Sequence, residues 1–278
     1  MKKIAIFGIN GMLGSAVYNI FNQPMFDITC IDINNLNAET CSVDDIKRAA
    51  GGCEYIINCI GIIKHYIHDD NPFEVERAIK VNSIFPHLLA QTGIRIIQIA
   101  TDCVYDGVQG NYSETDKHNA LDVYGKTKSL GEVNSENFMN LRCSIIGPEE
   151  KNKKSLFEWF INQPQNAVVN GYKNHKWNGI TTYAFGKICK GIIENDFWFH
   201  DLQHVIPSDI LDKADMLRIF AGVFKRNDIT IKDINAEETI DRTISTLNPH
   251  RNKKLWELAG YGQIPELEQI ITEIKEYS

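Results

Sequence analysis

Long apolar runs and clusters of basic residues are both missing from this sequence. No apolar run approaches the ~20 residues that cross a bilayer, so we expect no contact with a membrane. The formal net charge is -7, and no block of lysine and arginine stands out. Nucleic-acid binding requires a basic surface, so we expect no nucleic-acid partner. An anionic small ligand stays compatible with this charge, because helix N-termini and a few basic side chains can hold it locally.

Paired cysteines are missing as well. The seven cysteines form no C-x-x-C pair, and their number is odd. Several lie in apolar, strand-like runs, where a free cysteine behaves as a small hydrophobic residue. This usage predicts a reducing compartment and no metal site. The start "MKKIAIFG" resembles a signal peptide, but glycines interrupt the apolar run and no small-residue cleavage site follows. We therefore expect a cytoplasmic protein.

Short apolar runs alternate with helical patterns through the first half of the chain. Such alternation predicts an α/β fold of the Rossmann type, a doubly wound parallel sheet with helices on both faces. The long helical stretch after residue 71 contains Pro86, which should kink it or split it in two. The predicted strands are "KKIAIFG", "FDITCIDI", "EYIINCIG", "IRIIQIAT" and "FMNLRCSIIG".

The regular alternation of short apolar runs and helical patterns ends after Gly147. We predict a dinucleotide-binding domain over residues 1–147 and a smaller α/β C-terminal substrate lobe over 148–278, with part of 176–205 returning to the main sheet. Residues 163–178 are polar and rich in asparagine, which indicates a loop. The segment "LQHVIPS" is expected to form a late strand.

Three glycines lie between the first predicted strand and the first helix. Gly8, Gly11 and Gly14 are spaced G-x-x-G-x-x-G rather than G-x-G-x-x-G. In this strand-turn-helix context, a glycine turn lets the backbone approach a pyrophosphate at a helix N-terminus. We assign this turn to cofactor binding, including Asn10, Met12 and Leu13.

Asp32 closes the second strand, 18 residues after Gly14. An acidic residue near this point typically hydrogen-bonds the adenosine ribose, which would favour NADH over NADPH. Capping of a turn by a strand-end aspartate is the alternative.

Tyr124 and Lys128 are four positions apart and should lie on one helix face, one turn from each other. A neighbouring cation favours the phenolate and lowers the pKa of a tyrosine, so the pair could be a tuned proton donor. Thr101 ends the fourth predicted strand, where open α/β sheets bind their ligands. Its hydroxyl could donate to a substrate carbonyl.

Five motifs occur in one order along the first 147 residues: "GINGMLG", "NCIG", "ATDCVYDG", "YGKTKSLGE" and "LRCSIIG". In this order and spacing, the sequence resembles the extended short-chain dehydrogenase/reductases. Within them, it is most similar to the dTDP-4-dehydrorhamnose reductase type of sugar-nucleotide reductase. The resemblance is fainter through "KNHKWNGITTYAFGKI" and "IDRT" and negligible after about Leu247.

The resemblance implies a function and residue roles. It implies an NADPH- or NADH-dependent reductase of a keto group, expected at C4, on a nucleotide-linked deoxysugar in polysaccharide or deoxysugar biosynthesis. Tyr124 then matches the catalytic acid, and Lys128 matches the residue that lowers the pKa of the tyrosine and holds the nicotinamide ribose. Thr101 matches the hydroxyl that orients the substrate oxygen. The strand end whose backbone lines the cofactor matches Cys59, Ile60 and Gly61.

Cys103 separates reaction types within this superfamily. Relatives that dehydrate nucleotide sugars carry an acidic residue directly after "TD", and here that position is Cys103. A buried thiol is a poor base, because burial raises its pKa. The sequence therefore favours reduction without dehydration. An epimerase stays open, as does a non-catalytic dinucleotide-binding regulatory subunit, since some relatives of this fold bind cofactor and serve a partner enzyme.

Residues beyond the main sheet are candidates for binding the nucleotide sugar. Lys64 and His65 follow the third strand, and Trp177 and Asn178 lie in a loop that faces the cleft in similar reductases. Arg242 in "IDRT" could pair with a diphosphate. Each has a structural alternative: solvated loop, packing of the lobe, or a surface ion pair. A homodimer is also left open.

Overall fold

The computed structural model describes residues 1–149, 153 and 155–277. Its centre is a six-stranded sheet in the order β10-β5-β4-β3-β1-β2, in which every neighbouring pair is parallel. The predicted Rossmann-type parallel sheet is therefore confirmed. These strands are β1 (Lys2–Phe7), β2 (Phe26–Ile31), β3 (Tyr55–Asn58), β4 (Arg95–Ala100), β5 (Phe138–Arg142) and β10 (Leu202–His204).

Helices cover both faces of this sheet. Alternate residues of β1 pack into two hydrophobic cores, one on each face of the sheet. Ile4 and Ile6 lie in one core, and Ala5 and Phe7 lie in the other. Such strands are apolar without alternation, because both of their faces are buried. On one face α1 (Met12–Phe21) packs against α7 (Thr182–Glu194). The other helices of the first half are α2 (Val43–Ala50), α3 (Pro72–Ala78), α4 (Phe85–Ala90) and α5 (Val123–Leu130).

The helical stretch that contains Pro86 changes type instead of ending. A π-helical segment, Ile79–Ile84, joins α3 to α4, and Pro86 lies in the first turn of α4. Proline has no N–H to give to the carbonyl of Asn82, four residues earlier. That carbonyl faces Gly131, where a Cβ would lie 2.0 Å from the Asn82 oxygen. The predicted interruption near Pro86 thus takes the form of a π-helical segment between two α-helices. This segment lies close to the end of α5.

Besides α7, the second half contains further helices and several short strands. The helices are α6 (Leu156–Ile161), α8 (Lys213–Val223), α9 (Pro249–Leu258) and α10 (Leu267–Thr272). β6 (Ile145–Ile146) pairs with β9 (Ile180–Thr181), and β7 (Val168–Tyr172) pairs with β12 (Thr230–Ile234). β8 (His175–Trp177) lies between β11 (Leu211–Asp212) and β13 (Ile240–Asp241).

Two sequence expectations are wrong here. Residues 163–178 are not a loop, because they contain all of β7 and β8. The segment "FMNLRCSIIG" is not one strand, since it divides after Arg142 into β5 and β6, which belong to different sheets. Residues 150–152 and 154, near the start of the predicted substrate lobe, lie outside the described residues. Over the described ranges, no helix is both long and apolar enough to cross a membrane.

Candidate active site

The glycine turn is built by close backbone packing. Gly8 has φ +84°, a left-handed conformation that favours glycine, and a Cβ there would lie 3.0–3.1 Å from atoms of Cys59 and Ile60. A Cβ at Gly14 would lie 2.1 Å from the carbonyl oxygen of Gly8. A Cβ at Gly11 would contact only that oxygen, at 3.4 Å. Gly8 and Gly14 are therefore required by the turn itself, whereas Gly11 borders open space.

The N-terminus of α1 opens onto the same space. Gly11 is its N-cap and supplies no side-chain cap to the first turn. The first backbone N–H groups of a helix have no partner within it, and the helix dipole adds positive charge at this end. The turn from Gly8 to Gly14, with Met12 and Leu13 at the helix start, could thus hold the pyrophosphate of a dinucleotide.

Asp32 caps the turn after β2. Its carboxylate accepts hydrogen bonds from the backbone N–H of Asn34 at 2.9 Å and from Asn10 Nδ2 at 3.1 Å. Partial desolvation raises the pKa of Asp32, but bonds from Asn34, Asn35 and Asn10 outweigh it and lower that pKa overall. The turn-capping alternative is therefore present in the structure. It also keeps an ionised carboxylate beside the glycine turn, so a contact with the ribose stays a prediction.

Thr101, Tyr124 and Lys128 meet at the carboxyl end of β4. Thr101 is buried, and its side chain lies close enough to the phenol of Tyr124 to act on the pKa of that phenol. Lys128 Nζ donates to the carbonyl oxygen of Ile99 at 3.2 Å. A Cβ at Gly61 would lie 3.9 Å from the same Nζ, so Lys128 also reaches the end of β3. The structure brings together the three side chains that the sequence predicts as catalytic.

The start of α5 explains how this meeting is possible. Asp122 caps the helix by accepting from the backbone N–H of Gly125 at 2.8 Å. A Cβ at Gly125 would lie 2.5 Å from the carbonyl oxygen of Cys103, so only glycine allows the helix to approach the strand end this closely. Lys64 ion-pairs with Asp122 at 2.8 Å and so braces the same cap. His65 is exposed in the 3-10 turn that carries Lys64.

The electrostatics differ from the expectation for the Tyr124–Lys128 pair. Burial raises the pKa of the Tyr124 phenol well above its usual value, and the charges of Cys103 and Asp102 raise it further. Burial also lowers the pKa of Lys128 to about 8, against the opposing effect of Glu132. The predicted lowering of the tyrosine pKa is therefore wrong for this structure, because desolvation has the largest effect on it. At neutral pH the phenol keeps its proton and Lys128 is mostly charged.

Cys103 behaves as predicted, and its neighbour Asp102 is a residue that sequence reasoning missed. Burial raises the pKa of the Cys103 thiol to about 12, which excludes it as a general base near neutral pH. Asp102 is buried and accepts from Thr101 Oγ1 at 3.2 Å. Burial also raises the pKa of Asp102, and the guanidinium of Arg242 opposes that rise. The tripeptide "TDC", which contains Asp102, is the sequence signal that could have identified this residue.

Asn82 is a second missed residue. It is buried in the π-helical segment, and its side chain bonds the backbone of Ile62 in both directions, at 2.8 and 2.9 Å. A Cβ at Gly61 would lie 3.5 Å from Asn82 Oδ1. Asn82 therefore fixes the loop after β3 next to Lys128.

Three substrate candidates have mainly structural contacts. Trp177 is half-buried, ends β8 and packs against the core, and Asn178 is buried with both ends of its amide bonded to the backbone of Ile244, at 2.7 and 3.0 Å. Trp177 therefore lies in a strand rather than in the expected loop, and a contact of Trp177 or Asn178 with the substrate stays a prediction. Arg242 Nε donates to the carbonyl of Tyr105 at 3.1 Å, which places its guanidinium near the end of β4.

A buried cation lies behind the site. Arg142 is fully buried at the end of β5. It donates to Glu132, to the Tyr105 hydroxyl at 2.5 Å, to His118 Nε2 at 2.6 Å and to His204 Nε2 at 2.9 Å. Sequence reasoning missed this cluster, because its members are spread from residue 105 to residue 204.

No group of three or more His, Cys, Asp or Glu side chains is arranged to hold a metal ion within the part of the chain that the structure describes.

Known proteins resemble this chain in sequence and in structure. Methionine adenosyltransferase 2 subunit beta of Xenopus tropicalis is 24% identical over 290 aligned residues, which cover 94% of this chain and 84% of that protein. The dTDP-4-dehydrorhamnose reductase of Aggregatibacter actinomycetemcomitans is 31% identical over 143 residues, 48% of this chain and 46% of that protein. The dTDP-4-dehydrorhamnose reductase of Bacillus anthracis str. Ames, solved in complex with NADP, superposes with a TM-score of 0.79 at 17% identity and covers 100% of both chains.

A family model adds the decisive comparison. The model of the RmlD substrate binding domain matches residues 1–152, more than half of the chain and the whole glycine-turn and Tyr124–Lys128 region. The chain is thus an extended short-chain dehydrogenase/reductase that resembles dTDP-4-dehydrorhamnose reductase, and it belongs to the RmlD substrate binding domain family.

Proposed function

We propose that this protein is an NAD(P)-dependent reductase of a keto group at C4 of a nucleotide-linked deoxysugar. The observation that carries the proposal is the meeting of Thr101, Tyr124 and Lys128 at the end of β4, beside the glycine turn and Gly61. The likeness to a dTDP-4-dehydrorhamnose reductase over 48% of the chain supports the same substrate class.

The side chains then have distinct tasks. When bound, a reduced nicotinamide supplies the hydride for the carbonyl carbon. Tyr124 donates its phenolic proton to the carbonyl oxygen, and the raised pKa of the phenol keeps that proton in place until it is needed. Thr101 orients the oxygen and stabilises the phenolate that Tyr124 becomes. Lys128 uses one N–H on Ile99, and an ammonium has two more to offer a ribose.

The residues of the glycine turn fit a dinucleotide cofactor. Gly11 borders open space at the N-terminus of α1, and Ile60 and Gly61 line the neighbouring strand end. NADPH and NADH are both proposed cofactors. The ionised carboxylate of Asp32 would accept from a free ribose diol and repel a 2′-phosphate, which favours NADH.

A regulatory subunit is the second candidate. One observation favours it: the alignment with methionine adenosyltransferase 2 subunit beta covers 94% of this chain. The intact set of Thr101, Tyr124 and Lys128 argues against a purely structural use of the cofactor. An epimerase would need the same three side chains and also a return of the hydride.

One experiment separates these candidates. The purified protein is mixed with NADPH or NADH and a panel of 4-keto nucleotide sugars, in labelled water. A reductase consumes cofactor with one substrate and introduces no label beside the ketone, because Cys103 cannot act as the base. Cofactor binding without any turnover would support the regulatory subunit. If solvent label entered the carbon beside the ketone at the rate of turnover, a base would be removing a proton there. That result would overturn simple reduction.

A further inference from the structure

Lys213 is a half-buried cation without a partner. It begins α8, and its side-chain amine makes no hydrogen bond or ion pair with any residue that the structure describes. The lysines near it are matched, since Lys173 pairs with Asp215 at 2.9 Å and Lys176 pairs with Asp241 at 3.4 Å. A charged amine removed from water without a counter-charge is costly, which is why buried charges are normally paired. Burial indeed lowers the pKa of Lys213.

The register of the three-stranded sheet shows which side chains accompany Lys213. Asp212, Lys176 and Asp241 form one row across β11, β8 and β13. Neighbouring residues of a strand point to opposite faces, so His175 and Trp177 lie on the face opposite to Lys176. Ile240, which pairs with His175, and Arg242 both contact Gly107 and share that face. The charges of Lys213 and Arg242 both lower the pKa of His175, as expected for cations on its side of the sheet.

This cationic face, defined by Lys213, His175 and Arg242, adjoins the candidate active site. The charge of Arg242 acts on Asp102, Cys103 and Asp122. The same three groups act on the phenol of Tyr124. Arg242 therefore acts both on the groups around Tyr124 and on Lys213, so a ligand held by Lys213 and Arg242 would extend toward the candidate active site.

His175 adds a second polar group that lacks a partner. It is only 9% exposed, and its Nδ1 has no hydrogen-bond partner within the described residues. Its Nε2 lies 3.1 Å from the carbonyl oxygen of Glu238, so Nε2 carries the proton and Nδ1 is an acceptor. A ligand that brings both negative charge and hydroxyl groups would satisfy Lys213 and His175 together.

We propose that Lys213, with Arg242, binds the diphosphate of the nucleotide-sugar substrate, next to the hydroxyl-accepting Nδ1 of His175. This assignment rests on the proposed function for the identity of the ligand. Lys213 and Arg242 repel each other electrostatically, and a doubly charged diphosphate offsets that repulsion. The sugar at one end of the diphosphate then lies toward Tyr124.

Binding measurements on the full chain test the assignment separately from catalysis. The probes are dTDP, UDP, GDP and CDP, each compared with its uncharged nucleoside by calorimetry. Lys213→Met should weaken the tightest diphosphate by about 10- to 100-fold, the range of one charge-assisted contact, and should leave the nucleoside unchanged. Lys213→Arg should restore most of the affinity. Lys176→Met is the matched control, because it removes a lysine from the opposite face of the same sheet, and it should change affinity less than about twofold.

The outcomes distinguish the two proposals. Diphosphate binding that depends on Lys213, in a protein with no reductase activity, would support the site and overturn the proposed reaction. Wild-type diphosphate affinity in a folded Lys213→Met protein would overturn the site, whatever the activity. The same holds if no diphosphate binds more tightly than its nucleoside.

Discussion

At the scale of single residues, Gly11 and Gly14 are held by different constraints. Gly11 has φ -90° and ψ 167°, an extended conformation that valine adopts, and its Cβ direction is nearly free. Gly11→Val should therefore keep the fold and abolish cofactor binding, because the side chain fills the pyrophosphate space. Gly14→Ala is the control, since its Cβ would overlap the Gly8 carbonyl at 2.1 Å and should destabilise the fold. Thermal unfolding and NADPH titration measure both, and unchanged cofactor affinity in Gly11→Val would refute the assignment.

Tyr124→Phe removes one hydroxyl and keeps the ring. We expect normal unfolding and cofactor binding, with a loss of turnover of about 10²- to 10⁴-fold, the usual contribution of general acid catalysis. Steady-state kinetics with the substrate found in the panel measure the loss. Near-normal turnover would mean that the Tyr124–Lys128 spacing has no catalytic purpose.

Lys128 should make cofactor affinity depend on pH. Burial lowers its pKa to about 8, so the ammonium is present below that pH and is lost above it. Affinity for NADPH or NADH should therefore fall as the pH rises through about 8 if Lys128 holds the ribose. Lys128→Met should bind more weakly at neutral pH and lose this dependence. A pH dependence that survives in Lys128→Met belongs to another group.

At the scale of elements, α5 depends on its contact with the π-helical segment. Gly131 has φ -86°, which any residue adopts, but a Cβ there would lie 2.0 Å from the Asn82 carbonyl oxygen. Gly131→Ala should cost about 1–3 kcal/mol of unfolding free energy and reduce turnover, because α5 must shift with Lys128 on it. Gly222→Ala in α8 is the control: nothing lies within 4 Å of its Cβ, and it should stabilise by about 0.5–1 kcal/mol. Urea unfolding compares them, and equal stability of the two variants would contradict the contact.

The elements that the sequence predicts well are those with internal signals. β1, β3, β4 and β5 are short runs largely buried on both faces, and each can be recognised without knowledge of its neighbours. β7 and β8 could not be predicted in this way, because only Val169 and Gly171 of β7 are buried and its partner β12 lies some sixty residues later. Long-range pairing, not local preference, makes these residues strands.

The candidate site shows the same difference between local and long-range signals. The glycine turn and the Tyr124–Lys128 spacing are local patterns, so the sequence predicts them. The role of Asn178 in substrate binding stays a prediction, and its bonds to Ile244 could not be foreseen because they join positions 66 residues apart. The pKa of Tyr124 was misjudged since burial, which no spacing reveals, has the larger effect.

At the scale of the whole molecule, the cluster around Arg142 should make the fold sensitive to acid. Nδ1 of His204 donates to the Ser245 carbonyl at 2.6 Å, and Nε2 accepts from Arg142, a bond that needs the neutral ring. Burial and the Arg142 charge lower the pKa of His204 to about 4, whereas an unfolded histidine titrates near 6.5. As the pH falls from about 6.5 to about 4, His204 binds a proton in the unfolded chain but stays neutral in the folded one. Stability should therefore decrease over this window, by at most about 3 kcal/mol.

Urea unfolding at several pH values tests this sensitivity. His204→Gln should be less stable at pH 7 but should show a shallower decline toward pH 4. His65→Gln removes an exposed histidine and should leave the decline as in the wild type. An identical decline in all three proteins would assign the acid sensitivity to other groups.

We retain residues 1–147 and 148–278 as proposed domains, with part of 176–205 returning to the first. β10 pairs with β5, and α7 packs on α1, so the later half supplies both an edge strand and a covering helix to the first.

The position of β10 at one edge of the sheet has a consequence for synthesis on the ribosome. β5 ends at residue 142 and its neighbour β10 ends at residue 204, so one side of β5 stays unpaired while the chain between them is made. At about 5–20 residues per second, this interval lasts roughly 3–12 seconds. An unpaired strand edge is a template for pairing with another chain. The nascent protein is therefore most exposed to aggregation during these seconds, and slower translation of this one interval should reduce the soluble yield more than slower translation elsewhere.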